Sequence, residues 1–174
     1  MDMRAVAFSG HRPRKFPWKY DETAPGCVAL KAALRENIDR FISQGMIHYL
    51  SGMAEGTDIW AAEAVLAARE THKKIKLHCI LPCVAQADRW SAASRARYRS
   101  ILNLADSIYY VNREYRKGCM LERDRFLVDC SAILFAVYNG ERRGGTAATV
   151  RYARNLGRDV FILSPYTQSL THDV

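Results

Sequence analysis

The sequence predicts an α/β fold: a single Rossmann-like three-layer domain with a mostly parallel sheet of about six strands. Two observations carry this reading. Short apolar runs alternate with helix-length amphipathic stretches along the whole chain, which is a β-α repeating pattern. Strands buried under helices on both sides then imply parallel pairing with right-handed crossovers. Length agrees, because 174 residues, 49% of them apolar and 25% charged, suit one globular unit with one core, so residues 1–174 are read as one domain.

The first strand falls on Ala5–Phe8 and runs into Ser9-Gly10-His11-Arg12-Pro13. The connection onward to Pro25 is far longer than the roughly two to six residues usual between a strand and its helix. Pro13, Pro17 and Pro25 forbid a regular helix there. Its Arg, Lys, Trp and Tyr residues suit a lid over a ligand, and equally a surface excursion packed through Phe16 and Trp18. The first helix is expected over Gly26–Gln44, where Leu30, Leu34, Ile38, Phe41 and Ile42 recur at helical spacing and form the face that packs on the sheet.

Further along, strands are expected at Ile47–Leu50, Ile75–Leu81, Ile108–Val111, Ala132–Tyr138 and Val160–Leu163. Helices fall between them at Gly56–Thr71, Ser94–Ala105, Lys117–Asp129 and Thr146–Leu156. The tail Ser164–Val174, polar after Tyr166, is expected to be loose.

Composition narrows the partners. No apolar run approaches the roughly 18 residues of a membrane span, and the N-terminus enters a charged, Pro-containing stretch instead of a signal-peptide core. The reading is a cytoplasmic protein with no membrane partner. Five cysteines without a C-x-x-C pair read as reduced thiols. His78, Cys79 and Cys83 straddle a strand end, where alternate residues point to opposite faces, so no metal site and no cofactor is expected. A net charge of +8 favours an anionic partner. The basic residues are scattered, so nucleotide, nucleic acid and no specific partner all stay open.

Ligands of doubly wound sheets sit beyond the carboxyl ends of the strands. Three of those places carry glycine: Phe8-Ser-Gly-His-Arg-Pro13, Leu50-Ser-Gly-Met-Ala-Glu-Gly-Thr-Asp58 and Asn139-Gly-Glu-Arg-Arg-Gly-Gly-Thr146. Glycine lets backbone approach a phosphate, and the free N–H groups of the following helix then face the anion. Thr57 and Thr146 are placed to cap their helices or to donate a hydroxyl to the ligand. His11, in a glycine turn beside Arg12, reads as a ligand contact or as a capping residue. Neither a G-x-G-x-x-G dinucleotide fingerprint nor a P-loop is matched.

At these residues the chain resembles the SLOG superfamily, the Rossmann-like group that includes the LOG phosphoribohydrolases and the DprA DNA-processing proteins, and within it most closely the YpsA-like family. The resemblance rests on Ser9-Gly10-His11-Arg12-Pro13, on Ser51-Gly52-Met-Ala-Glu55-Gly56-Thr-Asp58-Ile-Trp60-Ala-Ala-Glu63, on Trp90 followed by Tyr98, and on Gly144-Gly145-Thr146. It implies that Ser9, Gly10, His11, Arg12, Ser51, Gly52, Gly56, Gly144, Gly145 and Thr146 line a nucleotide pocket. Glu55 and Asp58 would stand near its mouth and Trp90 against the base or ribose. Core packing is the alternative for Trp90 and the expectation for Trp60, which Ala61, Ala62 and Val65 surround.

LOG enzymes carry Met-x-x-Arg-Lys and Gly-Gly-x-Gly-Thr-x-x-Glu stretches. Met120 to Arg123 matches the first through its arginine, but Asp124 replaces the lysine and Thr149 stands where the glutamate should be. A threonine cannot serve as the carboxylate of glycosidic cleavage. The implied function is therefore a sensor or binding protein for an ADP-ribose-like or nucleoside-phosphate-like ligand, as a homo-oligomer. One alternative is phosphoribohydrolase activity with Glu55, Asp58 and Arg123 as its catalytic residues. The other is DprA-like binding of single-stranded nucleic acid.

Overall fold

The computed structural model describes residues 4–173. Its strands and helices alternate as β1 (Ala5–Gly10), α1 (Pro25–Ser43), β2 (His48–Ser51), α2 (Thr57–Arg69), β3 (Lys76–Leu81) and α3 (Ala92–Leu104), then β4 (Ser107–Tyr110), α4 (Cys119–Asp129), β5 (Ile133–Val137), α5 (Gly145–Asn155), β6 (Asp159–Leu163) and β7 (Leu170–Asp173). All strands join one seven-stranded sheet in the order β4-β3-β2-β1-β5-β6-β7. Every pairing is parallel except β6 with β7.

Both faces of the central strands are buried, and the side-chain alternation of a strand divides the core in two. Val6 and Phe8 point into one cluster with Leu30, Leu34, Ile38 and Phe41 of α1 and Ile59, Trp60 and Val65 of α2. Ala5 and Ala7 point into the other, with Leu127 and Val128 of α4 and Val150 and Ala153 of α5. The small alanines on that face let the second pair of helices close onto β1.

Three expectations need correction. The sheet has seven strands, because Leu170–Asp173 is not loose: it pairs antiparallel with β6, stacks His172 on Phe161 at 3.9 Å and ties Asp173 to Arg154. Next, β4 is not buried under helices, since it forms the other sheet edge and all four of its residues are exposed. Finally, α3 begins earlier than Ser94: the Ser91 hydroxyl accepts the Ser94 N–H at 3.1 Å and caps the helix at Ala92.

The long connection between β1 and α1 is anchored to the core. Phe16 is buried, lies parallel to Trp18 at 5.0 Å and contacts Trp60 at 5.4 Å. A 3₁₀ turn over Pro13–Lys15 leads into it. Glu22 then accepts the Trp60 indole N–H at 2.9 Å and pairs with Arg97 of α3, which also holds Glu63 of α2. These partners keep the Glu22 carboxyl down at about 2 despite its partial burial. The segment is thus the packed excursion of the two readings, with its basic residues on the side of the sheet's carboxyl ends.

Replacing Phe16 by Ala deletes the residue that holds this excursion down. Urea unfolding of Phe16→Ala is expected to show a loss of about 3 kcal/mol, with faster proteolytic cleavage between residues 12 and 25 under native conditions.

Candidate functional site

The strand order places β1 beside β5, although the chain visits β2, β3 and β4 on one side before crossing to the other. The loops leaving β1 and β5 therefore part in opposite directions, and this switch point is where open α/β sheets hold ligands. A cavity of about 690 Å³ opens there. The β1 side supplies Ser9, Gly10, His11, Arg12, Arg14 and Lys15, and the β5 side supplies Glu141, Arg143, Gly144, Gly145 and Thr146. Met120, Arg123 and Asp124 of α4, Asp58 in the first turn of α2 and Ala54 before it add to the wall.

Gly144 caps α5 at a φ of 107°, a conformation that disfavours any side chain. The first intrahelical bond runs from the Ala148 N–H to the Gly144 carbonyl at 3.0 Å. The N–H groups of Gly145, Thr146 and Ala147 come before it, at the positive end of the helix dipole. Thr146 lines the cavity inside the helix and does not cap it. Space is open here: a Cβ at Gly144 would meet nothing within 4 Å, and one at Gly145 only Asp124 at 3.9 Å.

The other glycines serve contacts within the protein. A Cβ at Gly10 would lie 2.5 Å from Thr57, whose hydroxyl donates to the His11 carbonyl at 3.1 Å. A Cβ on Gly56, which takes a φ of 91°, would lie 2.8 Å from that same carbonyl. Ser51 is buried, donates to the Asp58 carbonyl at 2.9 Å and accepts the Met53 N–H at 3.1 Å. Gly52 leaves room for Arg123, with which any Cβ would collide. Ser51, Gly52 and Gly56 thus lie behind the cavity wall and shape it from there.

Arg123 is only 3% exposed. Its Nε donates to Asp124 at 2.7 Å, its Nη1 donates to the Gly52 carbonyl, and Nη1 stands 3.8 Å from Asp58 Oδ2. Asp58 also accepts the Ala54 N–H at 3.2 Å. Burial pushes its carboxyl up to about 6 against the opposing pull of Arg123, and the nearby Asp124 adds to the rise. Burial likewise lowers the pKa of His11, against a hydrogen bond with Asn139 and the charge of Glu141, so the ring is neutral at neutral pH. Phe16 and Tyr138 flank that ring edge-on at 6.0 Å, and its Nε2 has no partner among the described residues.

Glu55 and Trp90 stand elsewhere. Met53 takes a φ of 58° and Gly56 one of 91°, so the turn presents Ala54 and Asp58 to the glycine-lined cavity and Glu55 to the opposite side. There Glu55, Tyr20, Arg89 and Trp90 line a second cavity of about 650 Å³. Trp90 packs edge-on to Tyr98 at 5.3 Å. Trp60 is in the core, as its alanine-rich surroundings indicated. The Thr149 hydroxyl donates to the Gly145 carbonyl at 2.9 Å, inside its own helix. Of the three residues named for catalysis, the structure brings Asp58 and Arg123 together and sets Glu55 apart.

Sequence reasoning did not assign Arg14, Lys15, Glu141 or Arg143 to the site. The arginines and lysine carried a signal as basic clusters next to the glycine turns. Glu141 carried none, because its role is to receive Lys15 at 2.5 Å across the cavity and Asn139 at 2.8 Å beside it. Cys27, Cys79, Cys83 and Cys119 are buried, and burial drives the Cys79 thiol up to about 12. Among the described residues no cluster of three or more His, Cys, Asp or Glu could hold a metal, and no helix is long and apolar enough to cross a membrane.

Known proteins resemble this chain in sequence and in fold. The model of the YspA SLOG family, YpsA, covers residues 6–162. A UPF0398 protein of Bacillus pumilus is 29% identical over 156 residues, spanning 88% of this chain and 83% of its own, and one from Bacillus thuringiensis is 28% identical over 158 residues, spanning 89% and 85%. Among solved structures, DNA processing protein A (DprA) from Streptococcus pneumoniae superposes with a TM-score of 0.59 at 17% identity, over 92% of this chain and 50% of that one. DNA processing protein A from Helicobacter pylori, described for its single-stranded DNA binding mode, gives 0.58 at 19% identity, over 91% and 64%. This chain spans less than two thirds of either DprA protein, and what it shares with them is the fold.

The raised Asp58 carboxyl has a thermodynamic consequence. Unfolded, the group titrates near its ordinary 3.8; folded, near 6. Between those values the folded state holds the extra proton, so stability falls as pH rises through the window and levels above it. Urea unfolding between pH 3.5 and 7 is expected to show a decline on the order of 2 kcal/mol that Asp58→Asn does not share.

Proposed function

The chain belongs to the YpsA SLOG family, and from that premise we propose that the cavity between the β1 and β5 loops binds the phosphate of a nucleotide or nucleotide-derived ligand, the protein acting as a binding or sensor protein. One observation carries the reading. The N-terminus of α5, with open space at Gly144 and Gly145, faces the Gly10 turn across a cavity rimmed by Arg12, Arg14, Lys15 and Arg143. Helix N–H groups and a positive dipole suit a phosphate, and guanidinium groups add charge-assisted hydrogen bonds. Among the described residues, Lys15 is the member of that rim held in an ion pair, with Glu141.

The same geometry supports binding without hydrolysis. The position equivalent to the LOG glutamate is Thr149, whose hydroxyl is used inside α5. Asp58 and Arg123 face one another in a buried cluster. A second reading, contact with single-stranded nucleic acid, draws on one specific feature: the second cavity continues the first along the sheet's carboxyl edge and carries Tyr20, Trp90 and Arg89, groups on which bases stack. The Helicobacter pylori protein named above lends it support.

Isothermal titration with AMP and ADP is expected to detect binding that Arg143→Glu weakens roughly tenfold, or about 1.4 kcal/mol. Ligand-induced stabilisation in thermal unfolding is expected to fall in parallel. No response to any nucleoside mono-, di- or triphosphate at millimolar concentration would overturn the proposal. Release of free base during incubation would add turnover to it and make Asp58→Asn the next variant. An oligothymidylate that bound more tightly than mononucleotides, with steep weakening by salt, would move the second reading to first place.

A further inference from the structure

Glu141 stands against the charge of its surroundings. The cavity at the start of α5 is rimmed by Arg12, Arg14, Lys15 and Arg143, and Glu141 lines it among them. The other two wall carboxylates, Asp58 and Asp124, are largely buried against Arg123. Glu141 is instead 36% exposed at its side chain, and a carboxylate in that position works against any anionic ligand. The chain around it fixes it there. The Glu141 N–H donates to Asn139 Oδ1 at 3.1 Å, Asn139 Nδ2 donates to Glu141 Oε1 at 2.8 Å, and the Tyr138 hydroxyl donates to the Glu141 carbonyl. The second carboxylate oxygen, Oε2, accepts Lys15 Nζ at 2.5 Å.

Lys15 and Glu141 lie 126 residues apart in the chain, one on the connection after β1 and the other on the loop after β5. Their ion pair therefore ties the two banks of the cleft across its mouth. The Lys15 side chain is 51% exposed. Pairs this open to solvent contribute little to stability, so a stronger anion can take the ammonium from the carboxylate. A phosphate monoester is such an anion, since it brings close to two negative charges where Glu141 brings one. It also meets the guanidinium groups of the rim, each able to add charge-assisted hydrogen bonds.

We propose that Glu141 is a built-in competitor for the ligand's phosphate: Lys15 passes from Glu141 to the incoming anion, and the tie between the β1 and β5 loops opens as the ligand binds. The inference rests on the phosphate reading and adds to it the change in the protein that accompanies binding. An ammonium has three donors and can reach two acceptors at once. Sharing Lys15, however, would set carboxylate and phosphate on either side of one cation in a partly desolvated cleft, where like charges repel more strongly than in water. The carboxylate gives way, because the hydrogen bond from Asn139 is then what holds it.

The test is calorimetric titration of the full chain with AMP, and with adenosine as the same ligand without its phosphate. Glu141→Gln removes the charge at nearly constant size. It is expected to tighten AMP about fivefold and to leave the weaker binding of adenosine unchanged. Lys15→Met is expected to weaken AMP, and in that background Glu141→Gln should gain less than about twofold, because the cation it would release is gone. AMP affinity that Glu141→Gln leaves unchanged or lowers, or a gain that adenosine shares, would overturn the exchange and leave the phosphate site standing. A gain as large without Lys15 as with it would also overturn the exchange, reducing Glu141 to a charge acting at a distance. Failure of AMP to bind the wild-type protein and every variant would remove the phosphate site and this inference with it.

Discussion

The guanidinium of Arg123 is the contact on which the shape of the site depends. A buried cation is tolerated only where its charge and its donors are all met. Here Asp124 and the Gly52 carbonyl accept hydrogen bonds from the guanidinium, and Asp58, 3.8 Å from Nη1, adds a second opposite charge. The three partners come from α4, from the start of α2 and from the loop after β2. Since α4 packs on the sheet face opposite α2, Arg123 joins the two helical layers across the carboxyl ends of the strands. Glycine at position 52 follows from this contact, because no side chain fits beside the guanidinium. Burial raises the Asp58 carboxyl, and Arg123 pulls against that rise and offsets part of the cost of burial.

The glycines of the three turns therefore divide by cause. Gly10, Gly52 and Gly56 exist for contacts the protein makes with itself: a threonine, an arginine and a backbone carbonyl occupy the space a side chain would need. Gly144 and Gly145 have no such neighbour. Crowding accounts for the first group, the φ of 107° accounts for glycine at 144, and the open space beside Gly144 and Gly145 leaves room for a ligand. Open space at the start of α5 and the basic rim around it, more than the glycine turns, are what suit an anion there.

Local pattern in the sequence was enough to read the alternating strands and helices, the core face of α1 and the placing of the glycine loops at the carboxyl edge. Periodicity is a local property, and these features are local. Strand β7 escaped because Leu170–Asp173 is short and polar and owes its pairing to β6 and to Arg154. The exposure of β4 escaped because an edge position is a fact of sheet order, which Ser107–Tyr110 does not encode. Within the site, Asp58 with Arg123 and Lys15 with Glu141 meet across long sequence separations. The resemblance named Asp58 and Arg123 one at a time, and only the fold made them a pair. Glu55 and Trp90 lie at the same edge of the sheet and line a neighbouring cavity, Glu55 because adjacent residues of the tight turn at 53–56 face opposite ways.

Charge distribution connects these parts. Many carboxylates are engaged away from the cavity: Glu22 and Glu63 hold Arg97, Asp106 holds Arg69, and Asp173 holds Arg154. Their pairing lets the excess of cations be felt at the carboxyl edge, where Arg12, Arg14 and Arg143 stand. Arginine does not titrate near neutrality, and burial keeps His11 neutral there. Asp58, raised to about 6, is a wall group whose charge changes close to neutral pH. Its ionisation subtracts from the positive potential above that pH and restores it below. An anion in the cavity pushes in the opposite sense, favouring the protonated carboxyl. On the proposed reading, phosphate binding and proton uptake at Asp58 are therefore linked, and Arg123 sets the strength of that linkage by deciding how much of the carboxylate's charge the ligand senses.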